Sequence, residues 1–186
     1  MKQAIGWFIL FLTLTIEGSG SVWADEARLD NIIVTNTRDD LLLYLNAANA
    51  FNEELSTAVQ SGVEVTFTYF IRLNRIRSFW KDEAISKLNI THTIAYDTLK
   101  EEYQVIRSWE KQPHAVKTFD AAQKLMTTIN SLVISPLDEL TKDQQYRIRV
   151  KAEQKRGRLP YKMHYVLFFM SLRDFETDWY TIDFIY

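Results

Sequence analysis

The chain has 186 residues, with 47% hydrophobic and 25% charged side chains, a formal net charge of −2 and a pI near 5.9. These values suit one folded domain with a core of its own, and they exclude a global field that would gather nucleic acid. Five glycines and three prolines exclude collagen-like or low-complexity character, and the absence of cysteine excludes disulfides, thiolate metal sites and thiol nucleophiles.

The N-terminus reads as an export leader. Lys2 is a short basic start, 4–16 is an uncharged apolar run, and Val22-Trp23-Ala24 places small or modest side chains before a cut after Ala24. The apolar run is short against the roughly 20 residues a membrane-spanning helix needs. An uncleaved anchor is the alternative. Export without cysteine points to a bacterial envelope compartment, with the periplasm first and the outer membrane as alternative. Residues 1–24 are thus the leader and 27–186 a single β-rich domain.

In that domain, 29–37 and 41–46 are predicted strands joined at Arg38-Asp39-Asp40. Helical spacing of Phe51, Leu55, Ala58 and Val59 predicts a helix over about 51–61, capped by Asn49 or Asn52 and closed by Gly62. The organising element is 63–77. Val65, Phe67, Tyr69, Ile71 and Leu73 alternate on one face, and Thr66, Thr68, Phe70, Arg72, Asn74 and Ile76 form a mixed second face. Such a strand belongs inside an antiparallel sheet, with neighbours on both sides.

The connection 78–86 is expected to tuck Phe79-Trp80 into the core. Strands at 88–96 and 103–109 form a predicted hairpin, with His92 among the apolar residues of one and Arg107 interrupting the other. A short strand at 115–119 precedes a second helix over about 120–132. Asp120 and Gln123 fit a capping box there, and Ala122, Leu125, Met126 and Ile129 make an inward stripe. Over 145–152, Tyr146, Ile148 and Val150 point inward and Arg147, Arg149 and Lys151 outward. The stretch 161–172 fits a buried strand or a short helix, and 179–186 is a strand. The fold class is mainly β or α+β, with an antiparallel sheet or sandwich built around 63–77 and two short helices.

The runs HYVLFFMSLRDFETDWYTIDFIY, ARLDNIIVTNTRDDLLLYLN and TFTYFIRL carry a family pattern. Over about 27–186 the chain resembles the bacterial exported-protein family called domain of unknown function 4390. The resemblance implies a secreted or periplasmic domain of Gram-negative bacteria, with an accessory envelope role in some cases beside a membrane sensor kinase. It supplies no catalytic residues.

Candidate chemistry is sparse. His92, His114 and His164 are too far apart in sequence for a histidine zinc pair. His92 is expected to be a strand residue bonded to a neighbour, and His114 to sit in a loop beside Pro113. Asp174, Glu176 and Asp178 alternate, as a calcium site or an acid–base pair would require, or simply as a solvated face. His164 with Asp174 or Glu176 is the hydrolase alternative. Arg72, Arg75, Arg77, Arg147, Arg149, Lys151, Lys155, Arg156 and Arg158 would merge into a basic patch if their strands were neighbours. The alternating aromatic C-terminus also fits the last strand of a small outer-membrane barrel.

The leading expectation is a non-enzymatic periplasmic binding or accessory domain, with no cofactor, no metal, no nucleic acid and at most peripheral membrane contact. Its partner would be an envelope or membrane protein or another anionic envelope component. The candidate surface joins Arg147, Arg149, Lys151, Arg156 and Arg158 to Tyr165, Phe168, Phe169 and Trp179.

Overall fold

A computed structural model describes residues 26–155 and 175–186. The alternation in the organising strand holds: β3 spans Val65–Arg75, and its inward residues Val65, Phe67, Tyr69, Ile71 and Leu73 are all buried. It lies between β4 (Glu83–Asp97) and β8 (Gln145–Lys155), antiparallel to both. Adding β5 (Glu102–Arg107), β6 (His114–Val116) and β10 (Tyr180–Ile185) gives the order β10-β8-β3-β4-β5-β6. The short β9 (Phe175–Glu176) pairs with the far end of β8, on the edge that β10 also occupies.

A second, three-stranded sheet has the order β1-β2-β7, from β1 (Arg28–Asn36), β2 (Asp40–Ala48) and β7 (Thr128–Pro136). Leu41, Leu43 and Leu45 of β2 join the inward residues of β3, β4 and β8 in one core cluster, so the two sheets share a hydrophobic interior. Ser86 Oγ on β4 donates to the Ile134 carbonyl on β7 at 2.7 Å, a direct bond between the sheets. The described strands therefore form two open sheets with edges. This corrects the barrel alternative, because no ladder joins β10 back to β6. Among the described residues no helix is long and apolar enough to cross a membrane.

The helices follow local chemistry. In α1 (Glu53–Gln60) the Asn52 side chain accepts from the Leu55 amide at 2.7 Å, and Gly62 beyond the end takes φ +86°, a conformation costly for a residue with a Cβ. The second helix is shorter than its spacing predicts. α2 runs Phe119–Thr127, with Thr118 rather than Asp120 as its cap: the Thr118 hydroxyl accepts from the Ala121 amide. The chain then passes directly into β7.

The bulge in β7 explains the misreading. Leu45 pairs with Ile129 and Leu43 with Leu132, so three residues of β7 span two of β2, with Ser131 at φ +54°. That bulge spaces Ile129 and Leu132 by three, which continues the helical stripe from Met126 although the backbone is extended. The short strand expected at 115–119 is confined to β6, and Phe119 opens α2.

Phe79 and Trp80 do not enter the core. They stand at the tip of the β3–β4 hairpin, 95% and 81% exposed. β3 and β4 pair as far as Arg75 and Glu83, so 76–82 projects past the end of the ladder and beyond reach of the core. Two substitutions separate these aromatics from their buried counterparts. Phe79→Ser with Trp80→Ser is expected to shift stability by no more than about 0.5 kcal/mol, whereas Phe67→Ala costs about 3–5 kcal/mol, as read by urea denaturation.

Candidate functional site

Polar side chains gather in two places, one inside the fold and one on its outer face. The inner group sits where α2 ends. A helix leaves its last carbonyls without intrahelical partners, and α2 has no glycine cap to serve them. Instead three neighbouring strands each send one donor. Tyr69 from β3 donates its hydroxyl to the Met126 carbonyl at 2.8 Å, and His92 from β4 contacts the same oxygen through Nδ1 at 2.6 Å. Arg107 from β5 donates Nε and Nη2 to the Leu125 carbonyl at 3.1 and 2.9 Å, and Nη2 also reaches the Thr128 carbonyl.

A carbonyl can only accept, so His92 carries its proton on Nδ1. Its Nε2 is buried without a hydrogen-bond partner among the described residues. The ring lies against Tyr69 and Trp109, with centroids 4.9 and 4.6 Å away. Burial lowers the His92 pKa to about 3, assisted by the Arg107 charge and opposed by the bond to Met126 and by Glu110. Burial likewise drives the Tyr69 hydroxyl pKa upward. Arg107, 6% exposed, pairs with Glu110 at 2.9 Å, and Glu110 also bonds His114. Burial alone would raise the Glu110 pKa, but hydrogen bonds from His114 and Arg107 outweigh it and lower the value. Every polar group here holds backbone or another group of the cluster. His92 thus is a strand residue bonded to a neighbour, as expected, while His114 opens β6 and bonds Glu110 rather than lying in a loop.

The outer group lies on the solvent face of the larger sheet. Register sets Lys87 of β4 opposite Arg72 of β3, and Arg72 opposite Arg149 of β8. Directly opposed side chains on adjacent strands have Cβ atoms about 4.5–5.5 Å apart, and like charges so placed repel. Among the described residues, none of the three has a carboxylate within ion-pair distance. Partial burial, and then the Arg149 charge, lower the Arg72 pKa below the ordinary arginine value. Arg72 Nη1 donates to the Ile71 and Leu88 carbonyls, and its guanidinium lies 5.7 Å from the Phe70 ring. Arg149 stacks 4.7 Å from the Trp179 ring, with Lys151 5.8 Å from the same ring.

The flanking cations differ. Arg147 grips Asp183 through two bonds of 2.7 Å and lies 3.9 Å from Asp82. Lys151 pairs with Glu176, and Arg75 and Arg77 both pair with Glu83. The row Lys87–Arg72–Arg149 therefore stands uncompensated between neutralised neighbours.

Of the expected surface, the structure brings together Arg147, Arg149, Lys151 and Trp179. Arg156, Arg158, Tyr165, Phe168 and Phe169 lie outside the described residues, as do His164 and Asp174. Glu176 pairs with Lys151. Among the described residues, no cluster of His, Asp and Glu could hold a metal ion. Lys87 escaped the sequence reading because the predicted strand began at Leu88, five residues after the observed start at Glu83. Extending the alternation Asn89–Thr91–Thr93 back by two would have found it.

With this geometry in place, residues 24–183 match the family described as Domain of unknown function (DUF4390). The chain belongs to that family. No curated protein and no solved structure matches it.

The buried imidazole fixes the sign of one pH effect. Between 6.5 and about 3 the unfolded chain binds the His92 proton and the folded chain does not, so this group erodes stability as pH falls through that window, by up to about 1.4 kcal/mol per pH unit. His92→Phe removes that contribution. Denaturation across this range should show a shallower acid loss for the variant than for the parent, with about 1–2 kcal/mol lost at neutral pH from the missing bond to Met126.

Proposed function

We propose that this DUF4390 domain is a non-enzymatic binding module of the cell envelope, which engages an anionic partner through the outer face of its larger sheet. The observation that carries the reading is the row Lys87–Arg72–Arg149, three cations set side by side by strand register with no carboxylate among the described residues to offset them. A sheet that served only as scaffold would gain from an acidic residue in that row, as it does with Asp183 beside Arg147. The aromatic rings of Phe70 and Trp179 brace two of the cations and leave them facing solvent. An anionic group set over them would bond several donors at once.

The leader-like residues 1–24 support a site of action outside the cytoplasm, with the periplasm of a Gram-negative cell first. The family resemblance supports an accessory role there, including one beside a membrane sensor kinase. The interior polar groups support a structural rather than a catalytic role, because Tyr69, His92 Nδ1 and Arg107 are held by the end of α2 and the unpartnered His92 Nε2 is buried.

Charge reversal tests the reading. With a photo-crosslinking residue at Thr181, which faces Arg149 from β10, adducts are expected to form in intact cells. They should be lost when Lys87→Glu and Arg149→Glu are combined. The same pair removes cross-strand repulsion, so stability should stay equal or rise by up to about 1 kcal/mol. Unchanged adducts in that stably folded variant would overturn the proposal.

A further inference from the structure

At the tip of the β3–β4 hairpin two aromatics stay out of the core formed by the described residues. Four consecutive residues, Ser78, Phe79, Trp80 and Lys81, are exposed, and the two rings between them are nearly bare. Scattered apolar residues on a surface are ordinary, but two adjacent large rings at an apex are not. The hairpin's carboxylates are already engaged: Glu83 with Arg75 and Arg77, and Asp82 near Arg147. What remains unneutralised toward this end of the two strands is cationic, namely Lys81 at the tip and Arg72 with Lys87 along the ladder, the carboxylate of Asp97 lying at the far end of β4. Ile185, at the same end of the sheet, adds a further exposed apolar side chain.

Trp80, with an apolar ring and a polar N–H, is of the kind that partitions to the boundary between lipid headgroups and acyl chains, and Phe79 adds apolar area beside it. Basic side chains behind them are drawn to anionic headgroups, each contributing about 1 kcal/mol near such a surface. We infer that the hairpin tip is an interfacial anchor, which seats Phe79 and Trp80 in the headgroup region of an anionic lipid bilayer while the basic row faces its phosphates. This rests on the binding reading above and names its partner as a lipid surface rather than a protein. The contact is peripheral. Two rings and a few cations give reversible attachment that needs both the apolar and the charged component.

The chain contains no cysteine, so a single introduced thiol can be labelled without competition. Ser78→Cys carrying an environment-sensitive nitrobenzoxadiazole reports the tip. Leu99→Cys, 95% exposed in the turn at the opposite end of β4, reports the far end. Vesicles of about three parts phosphatidylcholine to one part phosphatidylglycerol supply the anionic surface. Reading the label by position separates tip insertion from any membrane contact made elsewhere in the full chain.

The expected result is a blue shift and brighter emission at position 78 with these vesicles, none at 99, and none with phosphatidylcholine alone. Phe79→Ser with Trp80→Ser should abolish the shift, and raised ionic strength should weaken it. A label at 78 that stays in water on the anionic vesicles would overturn the inference, as would an equal response at 99 or on neutral vesicles. If the label stays in water while the Thr181 adducts still depend on Lys87 and Arg149, the lipid surface is ruled out and the binding face stands.

Discussion

The fold depends on how α2 is finished. Its last carbonyls meet Tyr69, His92 and Arg107, one donor from each of three consecutive strands of the larger sheet. One residue later the chain is already in β7, a strand of the smaller sheet. The bonds therefore fasten the joint between the two sheets as well as capping a helix. Arg107 adds a buried positive charge at the negative end of the helix dipole, where it is favoured, and Glu110 balances it. Leaving any of these buried acceptors unserved would cost about 1–3 kcal/mol, more where Arg107 itself lost its partners. Such a joint tolerates no loop and needs no glycine.

That joint also shapes what the protein can do. Histidine, arginine, glutamate and tyrosine lie close together in it, as they do in many active sites. Here burial holds the imidazole neutral, its Nδ1 proton is engaged and its other nitrogen is buried without a partner among the described residues. The arrangement serves rigidity. Chemistry available to another molecule is found on the opposite side of the sheet, where register lines up Lys87, Arg72 and Arg149, and at the hairpin tip beyond it. The same strands thus carry neutralised polarity inward and uncompensated charge outward.

Strict alternation made β3 and β8 legible from their residues, since Tyr69, Ile71, Tyr146 and Ile148 could face only inward. The cap, narrowed to Asn49 or Asn52, and the C-terminal Gly62 were legible for the same reason: few residue types suit those positions. The passage from α2 to β7 was not, because a bulge at Ser131 gave extended residues a helical spacing. Phe79 and Trp80 were misplaced by assuming that large rings must be buried. The basic patch was named from Arg72 and Arg149, but its geometry needed the register, which brought in Lys87 and removed Arg75, Arg77 and Arg147 into ion pairs. The role of Arg107 was signalled only as an interruption in an apolar face. Its partners are backbone carbonyls, which no residue pattern reveals.

Nitrogen-15 chemical shifts of the His92 ring test this account most directly, because they report tautomer and charge together. The joint requires a neutral ring with its proton on Nδ1, unchanged as the pH is lowered from 8 to 5 in about one-unit steps. A ring protonated on Nε2 alone, or one that gains its second proton near the ordinary value of 6.5, would contradict the bond to Met126 and with it the joint between the sheets.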